Sequence, residues 1–404
     1  HHPAKYRIFR QPAARTAPYL RVSVDYQADV AIVTEILDNL STPTNDLIID
    51  FLSQRPKLVS AQARRAPAEV SLEKAMLFPE KMQAVRLNNC QTFDESYPIS
   101  VELSLTNRCN HHCVWCSDAA LRRRLPGDLN PDIMQSLFAE LKQGGTRGVV
   151  IEGGGEPTLH PGLTATVKAA REQNLALGLI SNGYLLPSAP PGDFEWIRIS
   201  LDAATRDQYL ALKGVDGFDR VLHNLMTLAA DNHRPILGVG YVLTSGNDDP
   251  VHLDQLVLFL RQIGLGYIHF RPVIDHPELV SSADLGYLKK FETDTFSVKL
   301  SAMTANRDHG NAGLPCLAHS LSAVITADGG VYLCGRLNGS AAWESLGNLH
   351  QRGFHEIWTG VTRRQQVGLV SQAQFCKRHC PPCRMTKYNR LLNDVEKIRT
   401  RNFI

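Results

Sequence analysis

Nine cysteines are the residues of this 404-residue chain best suited to chemistry, and they are unevenly placed. Cys90 stands alone. Cys109, Cys113 and Cys116 share one short loop, Cys109-Asn110-His111-His112-Cys113-Val114-Trp115-Cys116, and Cys316, Cys334, Cys376, Cys380 and Cys383 fall near the C-terminal end. A chain this long needs no disulfide staples, the total is odd, and tight cysteine clusters in a cytosolic protein more often hold metal. Three thiolates on a four-iron cluster leave one iron without a protein ligand, and that iron can bind a small molecule and pass it an electron. Zinc is the rival, either closed by His111 or His112 as a fourth ligand or left open to water. The spacing leaves both open. Cys90 reads as an ordinary buried thiol.

These cysteines must be positioned by regular elements. Short apolar runs alternate with helical patterns from Ile99 to about Val273. The strand candidates are Val101 to Leu105, Gly148 to Ile151, Ala176 to Ile180, Ile197 to Leu201, Gly238 to Leu243 and Tyr267 to Arg271. Between them, Asp132 to Lys142, Leu163 to Gln173, Arg206 to Leu212, Phe218 to Ala230 and His252 to Ile263 have helical length and period. Repeated βα units imply an α/β fold with a parallel sheet, here a partial (β/α)6 TIM-like barrel over residues 96–275. Residues 1–95 form an N-terminal extension of unknown role, with an amphipathic stretch from Val30 to Leu52 around the breaker Ser41-Thr42-Pro43 and a candidate edge strand from Leu20 to Tyr26. Residues 276–314 read as a linker with helical character. Residues 315–404 carry the second cysteine group, with a hairpin of Ala323 to Thr326 and Val331 to Leu333 turning at Asp328-Gly329-Gly330. That hairpin would bring Cys316 and Cys334 together.

Cys-x3-Cys-x2-Cys with an aromatic before the last cysteine, directly after the first strand, resembles the motif of the radical S-adenosylmethionine (radical SAM) superfamily. Further segments match that family in order. Glu152-Gly153-Gly154-Gly155-Glu156-Pro157 resembles the "GGE" segment that holds the methionyl amino group, and Gly suits a chain that must turn sharply and approach a ligand. Ser181-Asn182-Gly183 and Ser200-Leu201-Asp202 resemble the positions that contact the carboxylate and the ribose hydroxyls. Phe270-Arg271-Pro272 closes the sixth strand, where family members approach the adenine, and Trp115 would lie near the same base. The resemblance thus implies Cys109, Cys113 and Cys116 as ligands of a [4Fe-4S] cluster, and Trp115, Gly154, Gly155, Glu156, Ser181, Asn182, Ser200, Asp202 and Arg271 as contacts of S-adenosylmethionine. All lie at the C-terminal ends of strands, where barrel enzymes place their chemistry. The implied reaction is reductive cleavage of S-adenosylmethionine to a 5′-deoxyadenosyl radical, which takes a hydrogen atom from an unactivated carbon.

The C-terminal cysteines resemble the extension called SPASM, or its shortened form called twitch, which carries auxiliary four-iron clusters. Five cysteines in place of seven imply one auxiliary cluster, held by Cys316, Cys334, Cys380 and Cys383, with Cys376 a spare or a replacement for one of the last pair. A zinc knuckle is the alternative for Cys376 to Cys383.

The tail Cys380-Pro381-Pro382-Cys383-Arg384, Tyr388 to Leu392 and Asn402-Phe403-Ile404 looks like the tails of twitch proteins of sugar and natural-product pathways. It implies a small-molecule substrate, a sugar, aminocyclitol or nucleoside-like metabolite undergoing dehydrogenation, epimerisation or dehydration, with antibiotic or natural-product biosynthesis as the setting. The alternative is maturation of a ribosomally made precursor peptide by crosslinking or epimerisation. A non-catalytic metal-binding protein would have no use for the glycine, serine and asparagine segments at the strand ends. His269, Asp275, Tyr241 and Arg198 lie at or beside strands, yet each is more often a packing or surface residue, so no catalytic acid or base is singled out. A reductant such as flavodoxin or ferredoxin is the implied protein partner.

Composition sets the outer bounds. A hydrophobic fraction of 43% and a charged fraction of 21% are those of a soluble globular chain, and no apolar run approaches bilayer-spanning length, so no membrane partner is expected. A net charge of +3 gives no case for nucleic acid. Arg122, Arg123 and Arg124 read as a solvated helix face. The His1-His2 start is expected to be a tag remnant, and without a secretion signal the expected compartment is the cytoplasm.

Overall fold

Alternation of buried and half-buried positions builds the sheet. In β1 (Ser100–Leu103) Val101 and Leu103 are buried while Ser100 and Glu102 are half-buried. The same pattern recurs in β2 (Gly148–Ile151) and β4 (Trp196–Ser200). One face of each strand thus packs against helices and the other lines a lumen. The remaining strands are β3 (Ala176–Ser181), β5 (Ile236–Leu243), β6 (Tyr267–Pro272), β7 (Ser297–Leu300), β8 (Ser322–Ile325), β9 (Gly330–Tyr332) and β10 (Gly347–Asn348). The helices are α1 (Pro79–Leu87), α2 (Ala119–Arg124), α3 (Met134–Gln143), α4 (Leu163–Glu172), α5 (Arg206–Lys213), α6 (Phe218–Ala230), α7 (Pro250–Gln262), α8 (Phe354–Trp358), α9 (Val361–Val370) and α10 (Thr386–Lys397).

The computed structural model describes residues 34, 36–40, 47–48, 50–51, 54, 78–87, 95–125, 127–231, 233–274, 276–301, 314–335, 337–338, 343–372, 375, 383 and 385–397. Cys90, Asp275, Cys376, Cys380 and the candidate edge strand from Leu20 to Tyr26 lie outside them, as do Ser41-Thr42-Pro43 and Asn402-Phe403-Ile404. By compactness the chain divides into His1–Arg65 and Ala66–Ile404. In the first unit Thr34, residues 36–39, Leu47, Ile48, Asp50 and Phe51 are helical, within the stretch read as amphipathic. No helix among the described residues is long and apolar enough to cross a membrane.

Among the described residues of the second unit ten strands form one sheet, in the order β10-β9-β8-β1-β2-β3-β4-β5-β6-β7. The pairs from β1 to β7 are parallel, reached through α-helical crossovers except from β3 to β4 and from β6 to β7, which carry 3-10 turns, as in a partial barrel. Leu103, Ile151, Leu179, Ile197, Val239 and Phe270 of these strands join Phe138, Val167, Val221 and Leu260 of the helices in one core. Each such side chain, fully buried, contributes roughly 1.5–3 kcal/mol.

Two features depart from the sequence reading. β7 lies inside the stretch taken as a helical linker: only Val298 of its four residues is buried, so the run was too short and too weakly patterned to show as a strand. The β8–β9 hairpin is the expected one, but it does not stand apart from the barrel. β8 pairs in parallel with β1, from Ser100 opposite Ser322 to Leu103 opposite Ile325, so the sheet runs unbroken into the C-terminal region. A second, smaller core joins Val85 of α1 to Leu317, Ala318, Leu321 and Leu392 of α10.

Candidate active site

The cysteine loop leaves the C-terminal end of β1 and is pinned from below by α5. His112 N–H donates to the Lys213 carbonyl at 2.9 Å, and Val114 N–H to the Leu212 carbonyl at 3.0 Å. Cys116 N–H closes a turn on the Cys113 carbonyl at 3.1 Å, and Arg122 Nη2 of α2 lies 3.6 Å from Cys116 Sγ. All three thiols are half-buried. Burial pushes the Cys113 thiol up to about 11, with the neighbouring thiols Cys116 and Cys109 adding to the rise. Burial likewise raises Cys109. Among the described residues no three His, Cys, Asp or Glu side chains already stand at metal-binding distance.

His111 is committed elsewhere. It is 1% exposed, Asn182 Nδ2 donates to its Nδ1 at 2.8 Å, and its Nε2 faces the Tyr209 hydroxyl at 2.7 Å. Burial, helped by Lys213 and His112, lowers its pKa to about 4, so the ring is neutral. A zinc site closed by His111 would have to break one of these contacts, whereas His112 on the same loop is exposed.

The glycine-rich loop after β2 lies beside the cysteine loop. Gly153 and Gly154 have φ of +76° and +61°, and a Cβ on Gly154 would stand 2.9 Å from the Thr106 carbonyl oxygen, so only glycine fits. Gly155 N–H donates to the Thr106 carbonyl at 2.7 Å and Glu156 N–H to the Arg108 carbonyl at 2.8 Å, which stitches the two loops together. Asn107 Oδ1 is buried here against Gly154 with no hydrogen-bond partner among the described residues. An ammonium group arriving between the loops would satisfy it.

Glu156, expected to face a ligand's amino group, is 3% exposed and instead ties the site together. Its Oε1 accepts from Thr158 N–H (3.0 Å), Thr158 Oγ1 (2.7 Å) and Ser181 Oγ (2.7 Å), and its Oε2 accepts from Asn182 N–H (2.7 Å). Ser181 and Asn182 are therefore held at the end of β3 by the same carboxylate, and Asn182 Oδ1 accepts from Tyr184 N–H at 2.9 Å.

Asp202, which the resemblance places among the cofactor contacts, is held by the protein's own groups. It has φ of +55°, is 2% exposed, and forms an ion pair with Lys213, which is also 2% exposed. Its Oδ1 accepts from Val242 N–H at 2.7 Å, so both oxygens are occupied by the protein. Lys213 lies 5.9 Å from the centre of the Trp115 ring, so this indole covers the ion pair. Burial lowers the lysine's pKa, but Asp202 and then Cys113 outweigh it and leave the pKa raised. Ser200 is half-buried at the end of β4.

Below these loops the lumen is polar. Arg198 of β4 and Arg271 and His269 of β6 point into it, with Glu152 at the end of β2. His269 Nε2 meets Ser301 Oγ at 2.9 Å, and burial, then Arg271 and Arg198, lowers its pKa to about 3. Tyr241 faces away, with its hydroxyl donating to the Asn247 carbonyl at 2.8 Å. Sequence reasoning missed Asn107, Lys213 and Tyr209. The Lys213-Gly214 helix end was the one available signal, because a left-handed Gly214 fixes where that lysine stands.

At the C-terminal end, Cys316, Cys334 and Cys383 are half-buried. Cys316 N–H donates to the Val370 carbonyl at 3.3 Å, and Met385 N–H lies 3.3 Å from Cys383 Sγ.

Two families match the chain: the Radical SAM superfamily over residues 103–257, and SPASM, an iron-sulfur cluster-binding domain, over residues 316–384. A probable GTP 3′,8-cyclase of Metallosphaera sedula is 26% identical over 174 residues, 42% of this chain and 54% of that protein. The mycofactocin maturase MftC of Mycobacterium tuberculosis is 32% identical over 172 residues, 41% of this chain and 43% of that protein. The chain thus spans about half the length of these two relatives. Streptococcus suis SuiB, crystallised with its precursor peptide SuiA, shares the fold with a TM-score of 0.53 at 14% identity, covering 70% of this chain and 71% of that one. A Radical SAM domain works with a [4Fe-4S] cluster and S-adenosylmethionine, and a SPASM domain carries auxiliary iron-sulfur clusters. The three-thiol loop, the glycine-rich loop with its orphaned acceptor and the SPASM match at Cys316 agree: this chain belongs to the radical SAM superfamily and carries a SPASM iron-sulfur domain.

Proposed function

We propose that the chain is an enzyme that cleaves S-adenosylmethionine reductively and takes a hydrogen atom from a small polar metabolite held in the barrel lumen. The supporting observation is the stacking of a three-thiol loop and a glycine-rich loop directly above charged lumen side chains. When bound, the cluster and S-adenosylmethionine supply one-electron cleavage of a carbon-sulfur bond and a carbon radical. Cys109, Cys113 and Cys116 would ligate three irons. Gly154, Gly155 and Asn107 would receive the methionyl amino group, with Glu156 and Ser181 holding that wall in place. Trp115, over the buried Lys213, would flank the adenine. Cys316, Cys334 and Cys383, with Cys376 or Cys380, would hold one auxiliary cluster. The protein's own work is to fix a substrate carbon close to the reacting atom and to keep water and other hydrogen donors out.

A sugar, aminocyclitol or nucleoside-like substrate suits a lumen lined by Arg198, Arg271, His269 and Glu152. Maturation of a precursor peptide is the second reading, favoured by the 32% identity to mycofactocin maturase. Iron and acid-labile sulfide after anaerobic reconstitution test the core of the proposal. About eight of each per chain are expected for two four-iron clusters, with about four left when Cys113→Ala removes the first site. Dithionite should then drive formation of 5′-deoxyadenosine from S-adenosylmethionine. Stoichiometric zinc with negligible iron would overturn the proposal.

A further inference from the structure

Two arginines in the lumen keep part of their hydrogen-bonding capacity unused among the described residues, although Arg198 also lies over the Trp196 ring at 6.0 Å. Arg198 on β4 and Arg271 on β6 are separated by β5, whose lumen-facing residue between them is Gly240. A Cβ built there would stand 3.3 Å from Arg271 Nη2 and 3.4 Å and 3.6 Å from Arg198 Cδ and Nε. With no side chain at Gly240, the two side chains converge over bare backbone there. The Nε atoms of both are buried and have no hydrogen-bond partner among the described residues.

Such an arrangement is costly. A buried donor left unpaired loses its hydration without a replacement, and like charges at close range repel. Burial and then Arg198 lower the pKa of Arg271 to about 10. The carboxylates facing Arg271 are Asp202, which is already paired with Lys213, and Glu152. Two guanidiniums therefore share Glu152, while Lys299 on β7 adds a third positive charge near His269. An arginine Nε–H with its Nη–H forms a fork that matches two oxygens of a carboxylate or phosphate.

We propose that Arg198 and Arg271 form the recognition site for an anionic group, a carboxylate or phosphate, on the substrate. The inference rests on the proposed function, since the lumen is the substrate site only if that reading holds. It narrows the substrate to an acidic metabolite, such as a sugar acid or a phosphorylated sugar or nucleoside. It also places the anion below the cysteine and glycine loops, so that the anchored end lies deep and the carbon to be attacked lies above it. Arg271, expected from the sequence to sit by the adenine, is thereby assigned to the substrate.

The test uses reconstituted holoenzyme already saturated with S-adenosylmethionine, so that the cofactor's own carboxylate is in place. Thermal unfolding is followed while pyrophosphate or succinate is added, with chloride at matched ionic strength as the control. A saturable rise of about 2 °C with one of the two probes is expected, and which probe gives it tells phosphate from carboxylate. Arg198→Gln and Arg271→Gln should each abolish the rise. Arg198→Lys, which keeps the charge and loses the fork, should weaken it at least threefold in apparent affinity, and it serves as the control should a glutamine variant misfold. The affinity of Arg198→Gln for S-adenosylmethionine, measured by calorimetry, should stay within twofold of wild type. No saturable rise in wild type, or a rise that survives both substitutions, would overturn the proposal. So would a tenfold loss of cofactor affinity in Arg198→Gln, which would put the pair on the cofactor. Formation of 5′-deoxyadenosine by wild type is scored separately, so a failure of the proposed function is seen on its own.

Discussion

Replacing Asp202 by Asn separates two accounts of the site. If Asp202 contacts a ribose, the substitution weakens cofactor binding and leaves the fold alone, because surface and ligand-facing changes usually cost within about 0.5 kcal/mol. The structure makes the opposite demand. Asp202 and Lys213 are each 2% exposed, and the carboxylate is the lysine's ion-pair partner. Asn can still accept from Val242 N–H but cannot balance a buried ammonium. Breaking a buried pair from one side costs about 3–5 kcal/mol. For a unit of this size the urea dependence is at the upper end of about 1–3 kcal/mol per molar, so the unfolding midpoint should fall by about 1–1.7 M. The pKa of Lys213 is raised in the fold, so the pair's contribution is complete below the ordinary lysine pKa and is lost only as pH rises through the raised value. Measurement at pH 7.5 therefore sees all of it. Adding Lys213→Met to Asp202→Asn removes the stranded charge and should recover at least half of the lost stability. An unchanged midpoint in Asp202→Asn, with reduced affinity for S-adenosylmethionine, would refute the buried-pair account.

Three further expectations follow from the same geometry. Glu156→Gln exchanges an acceptor that meets four donors for a group that must point two hydrogens at them, so S-adenosylmethionine affinity should fall tenfold or more and stability by about 1–3 kcal/mol, read by calorimetry and urea unfolding. His269 has its pKa lowered to about 3, so the unfolded chain binds the extra proton as pH falls below about 6.5; wild type should lose about 2 kcal/mol more than His269→Gln between pH 7.5 and pH 5, by urea midpoints. Gly214→Ala puts a Cβ at φ +70° and 3.0 Å from His112 Cβ, so it should cost about 1–2 kcal/mol and, by shifting the cysteine loop, lower the iron retained after gel filtration.

The strands and helices of the barrel were legible because each carries its own period. Phe218 to Ala230 shows a buried face of Phe218, Val221, Leu225 and Leu228 in sequence and in structure alike. The cysteine loop was legible because its chemistry is local. What the sequence hid is pairing at a distance. Ser322–Ile325 is buried at all four positions, which says that both faces are covered but not that β1 is the neighbour. Lys213, at a helix end beside a glycine, looks like any solvated lysine until the fold brings Asp202 under it. Arg198 alternates with Ile197 and Ile199, so it had to face away from the core. Whether that side was solvent or a lumen depended on how the strands assemble into one sheet, which no local pattern reports.

The extension of the sheet past β1 relates the two cysteine groups. The cysteine loop follows β1, and Cys334 follows β9 in the hairpin whose first strand is hydrogen-bonded to β1. Ser104 N–H extends the same ladder to the Ile325 carbonyl at 2.8 Å. Backbone hydrogen bonds, rather than a linker, therefore set the position of Cys334 relative to the barrel. A Cβ on Gly335, the residue after Cys334, would stand 3.5 Å from Glu102 Oε2 on the lumen side of β1, and Arg124 Nη2 of α2 reaches the Asn338 carbonyl at 3.2 Å. The C-terminal region thus covers the edge of β1 that a partial barrel would otherwise leave unpaired. On the opposite side β7 pairs with β6 and carries Lys299 next to His269. With both flanks of the six-stranded core occupied, the proposed substrate would reach Arg198 and Arg271 from the C-terminal ends of the strands, past the cysteine and glycine loops. An anion seated deep in the lumen would then leave the rest of its molecule beside the loops that carry the chemistry.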